Sequence, residues 1–80
     1  MTIRFIRLPE VKELTSFSRS VVYASIEKGT LTPPIKVGRR ANAWPEYEIQ
    51  AINAARVAGK SEPELQELVT ELIEKRREAA

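Results

Sequence analysis

Cysteine, histidine and aspartate are all absent from this 80-residue chain, so its eleven acidic residues are glutamates. A chain without cysteine forms no disulfide and no thiolate metal site, and one without histidine lacks the commonest general base and metal ligand. No nucleophile, base and oxyanion site occur together, and 80 residues enclose only one modest core. We therefore expect a single non-enzymatic domain with no metal and no cofactor.

Long apolar runs are absent as well. No segment approaches the roughly 20 apolar residues that a membrane-spanning helix needs. The opening residues, TIRFIRLPE, lack the uninterrupted apolar stretch that is typical of a signal peptide. The sequence therefore predicts a cytoplasmic protein without a membrane partner.

The net charge of +2 is distributed unevenly along the chain. Residues 1–60 hold ten Lys and Arg against five Glu, a balance of +5, whereas residues 61–80 hold three against six, a balance of −3. A basic surface of this size is compatible with a polyanionic partner but does not establish one. We expect the two parts of the chain to have different partners.

One short helix has both of its ends marked in the stretch FSRSVVYASIEKG. Ser18 is a favourable N-cap, and Gly29 suits the left-handed residue that closes a helix. Phe17 and Val22 are spaced as a hydrophobic staple, and Ile26 lies one turn further along the same side. This side of the helix is predicted to face a core.

The opposite side of that helix is small, mixed and able to form hydrogen bonds. At about 100° per residue it comprises Ser20, Tyr23, Ala24 and Glu27, with Arg19 reaching out from the first turn. Nothing in the local pattern requires this face to be buried. It is the main candidate for a binding surface, although Tyr23 has the alternative of covering the edge of the core.

The flanking segments predict a helix-turn-helix followed by a hairpin. RLPEVKELT forms a first helix with Pro9 in its first turn, and it ends near Thr15, three residues before the next N-cap. TLTPPIKVGRRANAW breaks the helical period and reads as a small hairpin that turns at Gly38 and Arg39. Pro45 is predicted to begin a third helix, with glutamates favourable to the dipole in its first turn, ending at Gly59.

A last helix is predicted to begin at the capping box Ser61-Glu62-Pro63-Glu64 and to reach about Glu78. Its apolar residues form one stripe, comprising Leu65, Leu68, Val69, Leu72 and Ile73. Such a stripe is expected to be buried. We predict that it mediates self-association, with completion of the chain's own core as the alternative.

The order helix, turn, helix, hairpin, helix is that of a winged helix-turn-helix. We therefore expect a mainly α fold: a winged domain over residues 1–60 with a short β-hairpin wing, and an added C-terminal amphipathic helix over residues 61–80. In such a domain the second helix enters the major groove and the hairpin contacts the backbone or the minor groove. Arg19 would suit a bidentate contact, and the wing tip carries Lys36, Arg39 and Arg40.

Several spaced motifs, RLPEV, SRSVVY, KG, PPIKVGRRANAW and WPEYEI, together resemble the AlpA family of phage and prophage regulatory proteins. The resemblance covers about residues 6–59 and implies a MerR-like winged domain that binds double-stranded DNA. It also implies a transcriptional regulator of mobile-element genes or an excisionase-like recombination factor, with transcription machinery or an integrase as further partners. By position, the family's DNA contacts fall on Ser18, Arg19, Ser20 and Tyr23 in the helix, and on Lys36 and Arg40 in the wing.

The sequence departs from the family pattern at two places. Ala24 stands where an arginine is common, so a groove contact is replaced by a small residue suited to a thymine methyl group. Asn42 and Ala43 stand where small or apolar residues are usual, which weakens the prediction of strand pairing. Trp44 is predicted to be core rather than a base-stacking platform. The remaining alternative function is a protein-interaction module that uses the same helix face.

Overall fold

A computed structural model of the protein describes residues 2–78. Within this range the helices are α1 (Leu8–Thr15), α2 (Arg19–Lys28), α3 (Glu46–Val57) and α4 (Glu62–Glu78), and the strands are β1 (Phe5–Ile6), β2 (Ile35–Lys36) and β3 (Asn42–Pro45). The chain is thus a mainly helical winged helix-turn-helix with a C-terminal helix, as predicted. No helix within these residues combines the length and the apolar character that crossing a membrane requires.

The turn between α1 and α2 is held by the side chain of Thr15. Its hydroxyl donates to the Val11 carbonyl at 2.7 Å and accepts from the Phe17 N–H at 3.2 Å. Ser16 takes the left-handed conformation, with φ 63°, and so ends α1. The chain can therefore leave one helix and enter the next within three residues.

Both predicted ends of α2 are confirmed. The Ser18 hydroxyl accepts from the Val21 N–H at 3.3 Å, which satisfies one of the free donors of the first turn. Gly29 has φ 81°, and its N–H donates to the Ile26 carbonyl at 3.1 Å. A side chain at Gly29 would be strained in this conformation, which explains the glycine.

The sheet contains one strand more than the predicted hairpin. In the hairpin, Ile35 lies opposite Ala43 and Lys36 opposite Asn42, so the doubtful Asn42-Ala43 segment does form a strand. The additional strand β1 pairs with the other edge of β3, which gives the order β1-β3-β2. Pro45 was predicted to begin the third helix, but it ends β3 and is the residue before α3.

The core lies between the sheet, α1, α2 and α3. Of the residues predicted to be core, Val22 and Trp44 are fully buried and Ile26 packs against them half-buried, and Ile49 and Ile52 of α3 are fully buried beside them. The Trp44 indole N–H donates to the Thr32 carbonyl at 2.8 Å, so the only polar atom of this side chain is satisfied inside the protein. Trp44 is therefore a core residue and not a base-stacking platform.

Helix α4 packs on α3 and closes the remaining side of the core. Leu65, Val69 and Leu72 are buried, Leu68 is half-buried, and Ile73 is 39% exposed. The predicted capping box is present, with Ser61 N–H donating to the Glu64 carboxylate at 3.0 Å and Glu64 N–H donating to the Ser61 hydroxyl at 3.4 Å. The hydrogen bond from the Ser61 backbone lowers the pKa of the Glu64 carboxyl. The apolar stripe thus contributes to the core of a single chain.

Candidate DNA-binding surface

The mixed face of α2 is exposed to solvent. Arg19, Ser20 and Ala24 are exposed along it, whereas Val22 and Ser25 on the other side are buried. Ser18, which was predicted as a contact residue, is exposed as well, but its hydroxyl is already used as the cap of α2. One helix therefore presents a long cationic side chain, Arg19, next to a small polar one, Ser20, and a small apolar one, Ala24.

Arg19 and Tyr23 form a pair on this face. The guanidinium carbon of Arg19 lies 5.8 Å from the centre of the Tyr23 ring, which is the range of a cation–π interaction. Tyr23 is 40% exposed, so its ring presents surface to solvent beside Arg19.

An open groove of about 430 Å³ connects α2 with the wing. It is lined by Arg7, Leu8 and Pro9 at the start of α1, Tyr23 of α2, and Arg40 and Asn42 of the wing, above the buried Trp44. The groove thus brings together two of the predicted site residues, Tyr23 and Arg40. Lys36 and Arg39 are exposed on the wing but do not line this groove.

Arg7 and Asn42 belong to this surface although the sequence did not single them out as contact residues. Arg7 immediately precedes α1, and Asn42 begins β3. Neither residue carries a local signal, because their proximity to Tyr23 depends on how α1 and the wing pack around Trp44. The proximity of these residues to Tyr23 becomes visible only when β3 is paired with β1 and β2.

The cations of this surface have no carboxylate partners among the described residues. Within residues 2–78, the ion pairs involve Arg4, Lys60 and Arg76. The cations around α2 and the wing take part in none of these pairs: Arg7, Arg19, Lys36, Arg39 and Arg40. Their positive charge is therefore not neutralised by a neighbouring carboxylate and is available to an anionic partner.

A second groove, of about 420 Å³, lies on the other flank of α2. Lys28 and Arg56 line it together with Lys60, which pairs with Glu64 at 3.8 Å, and with Glu62. The guanidinium carbon of Arg56 lies 5.0 Å from the centre of the Phe17 ring. This flank mixes both signs of charge, whereas the groove on the wing side is lined by cations and no acid.

The comparisons with known proteins place most of the chain in one sequence family. The chain is 42% identical over 57 residues to the uncharacterized protein ORF88 of Enterobacteria phage P4, a match that covers 71% of this chain and 65% of that relative. No solved structure matches the chain. The family described as prophage CP4-57 regulatory protein (AlpA) matches residues 4–56, which include α1, α2, the wing and most of α3. The resemblance inferred from the motifs is confirmed, and the chain belongs to the AlpA family of phage regulatory proteins.

Proposed function

We propose that this protein is a sequence-specific regulator that binds double-stranded DNA and controls phage or mobile-element genes. The observation that carries the proposal is the groove between α2 and the wing, where Tyr23 and Arg40 converge beside cations that lack carboxylate partners within residues 2–78. A major groove about 12 Å wide admits one helix with its side chains. Helix α2 is the helix whose polar face is open to such a partner.

In this arrangement α2 reads the base edges. The planar guanidinium group of Arg19 can donate two parallel hydrogen bonds to guanine or to phosphate. The hydroxyls of Ser20 and Tyr23 donate to bases or phosphates. Ala24 is small enough for contact with a thymine methyl group, and Ser18 lies at the helix N-terminus, where backbone N–H groups face phosphate. These contacts would supply the sequence preference.

The wing supplies affinity that depends little on sequence. Lys36, Arg39 and Arg40 are all exposed there, where they would contact phosphates or the minor groove. Arg7 lies across the groove from this wing and adds a cation on the same side. Each phosphate contact releases counterions, so the affinity should fall steeply as the salt concentration rises.

The direct test is to select duplexes from a random DNA pool and to measure their affinity by fluorescence anisotropy over a series of salt concentrations. We expect an enriched motif, bound more tightly than a scrambled duplex, with a linear fall of log K against log salt. Arg77→Ala is the matched control, because it removes one exposed cation from α4 and not from the proposed interface. Failure to enrich any duplex, or retention that does not depend on salt, would favour the protein-interaction module instead.

A further inference from the structure

One guanidinium group joins three separate parts of the fold. Arg76 of α4 donates to both carboxylate oxygens of Glu48 in α3, with Nε–Oε2 at 2.8 Å and Nη2–Oε1 at 2.7 Å. The same Nη2 atom donates to the carbonyl of Pro33 at 2.7 Å. Pro33 lies two residues before β2, where the wing begins. The C-terminal helix is therefore bonded directly to the base of the wing.

Because the ion pair between Arg76 and Glu48 is buried, breaking it costs free energy. The side chain of Glu48 is fully buried and that of Arg76 is 19% exposed. A carboxylate left unpaired at a buried site is strongly destabilising, so Arg76 must stay in place while the protein is folded. The planar fork of arginine allows it to satisfy the carboxylate and still bond the Pro33 carbonyl, which a lysine cannot do with the same geometry.

The segment that leads into the first wing strand, β2, has few other attachments. The carbonyl of Thr32 accepts from the Trp44 indole at 2.8 Å, and the next carbonyl, that of Pro33, accepts from Arg76. Pro33 and Pro34 have no N–H to donate, so backbone pairing cannot hold this segment from the donor side. Beyond it, the two-residue strand β2 pairs with β3, and Val37 N–H donates to the Ala41 carbonyl at 2.9 Å. The segment that leads into β2 is thus held by these two side-chain bonds to consecutive carbonyls, whereas β3 is held by its pairing with β1.

We propose that Arg76 is a positioning residue for DNA binding, which fixes the base of the wing so that Arg40 lies across the groove from Tyr23. Arg76 lies outside residues 4–56, the part of the chain that matches the family. The proposal therefore gives the C-terminal helix a part in setting the geometry of a surface that it does not itself line. It rests on the proposed function for its effect on DNA, but its effect on the wing is measurable without DNA.

The test uses the full-length chain with Glu48→Met and Arg76→Met combined. Replacing both members of a buried ion pair by apolar residues of similar size is often neutral for stability, whereas replacing one leaves a buried charge. The double variant keeps the packing but leaves the Pro33 carbonyl without its donor. Arg76→Lys is a second variant that keeps a positive charge beside Glu48 and loses the fork. Arg77→Met is the control, because it changes an exposed neighbour on the same helix.

Amide hydrogen exchange in the free protein gives the first result. We expect faster exchange at Val37, whose N–H closes the wing tip, and unchanged exchange at Ile52 in the core helix α3. If the ion pair only stabilised the fold as a whole, its removal would change exchange at both Val37 and Ile52 or at neither. If Val37 exchanges as slowly in a folded variant as in the wild-type chain, the proposal is overturned. If the double variant does not fold, exchange at Val37 in Arg76→Lys decides in the same way.

DNA affinity gives the second result. We expect the double variant to bind a selected duplex more weakly by roughly 2- to 30-fold, the range typical of residues that act through a coupled element. Adding Arg40→Ala to it should then cost less than Arg40→Ala costs in the wild-type chain, because a displaced wing has already lost that contact. Additive losses would contradict the positioning role. If Arg40→Ala is silent in the wild-type chain, the proposed wing contact is wrong, and exchange at Val37 still decides whether Arg76 holds the wing.

Discussion

Helices α2 and α4 each carry a face that the sequence predicted to meet a partner, DNA for α2 and a second copy of the chain or its own core for α4, and only the face of α4 is buried in the fold. The face of α4 is an apolar stripe, and the chain buries Leu65, Val69 and Leu72 of it in its own core. The face of α2 is polar and mixed, and it stays exposed. Burial of apolar area contributes about 25 cal/mol per Å², whereas polar groups must first find hydrogen-bond partners. A polar face therefore remains free for an external partner.

The charges around the two helices also differ, being mainly acidic beside α4 and basic on the wing side of α2. Where α4 meets α3, an open groove is bordered by Glu64, Glu67 and Glu71, with Lys60 as the cation among its lining residues. On the wing side of α2, the groove is lined by Arg7 and Arg40. A polyanion would be repelled by the first surface and attracted by the second. This difference in charge supports the proposal that DNA binds on the wing side of α2.

Removal of α4 should have the largest effect. A chain ending at Lys60 lacks the buried residues of the stripe and also Arg76, so it exposes core and leaves Glu48 without its partner. We expect it to remain unfolded, as measured by circular dichroism and thermal melting. A truncated chain that melts cooperatively would show that α4 is dispensable for the core.

Single substitutions within α4 sharpen the same contrast. Leu72→Ala removes a buried side chain and should lower the free energy of unfolding by about 2–5 kcal/mol. Ile73→Ala, at the neighbouring and 39% exposed position, should cost clearly less. Urea denaturation of the two full-length variants measures both values. Similar losses at the two positions would contradict the packing of the stripe on α3.

Arg19→Ala tests the open face of α2. The loss of a bidentate base contact should cost about 1–3 kcal/mol on a selected duplex and relax one position of its sequence. Stability should change little, because Arg19 is exposed. Competition binding with selected and scrambled duplexes provides the measurement. An unchanged ratio of the two affinities would remove Arg19 from sequence recognition.

Arg40→Ala should have a smaller and less selective effect. A lost phosphate contact weakens binding to all sequences alike and lowers the slope of log K against log salt by roughly one unit. The measurement is a salt titration with two unrelated duplexes, beside the Arg77→Ala control. A slope equal to that of the wild-type chain would mean that Arg40 does not contact phosphate.

Self-association through α4 stays a prediction, and we expect the weakest effect there. Since most of the stripe packs within one chain, a second copy would have to use the outer side of α4, where Ile73 is 39% exposed. Light scattering of the full-length protein over a range of concentrations measures the mass. If a dimer forms by this route, Ile73→Lys should shift it toward monomer, and a dimer insensitive to that change would place the interface elsewhere.

Local signals in the sequence predicted much of this fold. The N-cap at Ser18, the glycine closure at Gly29 and the Ser61 capping box depend on residues within one helical turn, and all three are present. The pair Arg19 and Tyr23 also follows from helical spacing, because residues four apart are neighbours on a helix. Such features need no knowledge of the rest of the chain.

The features that the sequence did not reveal depend on distant residues. Strand β1 is two residues long and has no alternation to detect, and its partner β3 begins more than 30 residues later. Glu48 was interpreted as a first-turn acid favourable to the helix dipole, but it is the buried partner of Arg76, 28 positions along the chain. Arg7 joins Tyr23 at the groove only after packing. Tertiary contacts decide each of these, and periodicity carries no information about them.

The most direct test of the central claim is an NMR titration of the full-length protein with a selected DNA duplex. If α2 and the wing contact DNA while α4 belongs to the core, backbone amide shifts should change most within residues 18–28 and 35–43. Exposed α4 residues such as Glu67 and Glu71 should change little. Shift changes concentrated on α4, or none with any duplex, would contradict the claim.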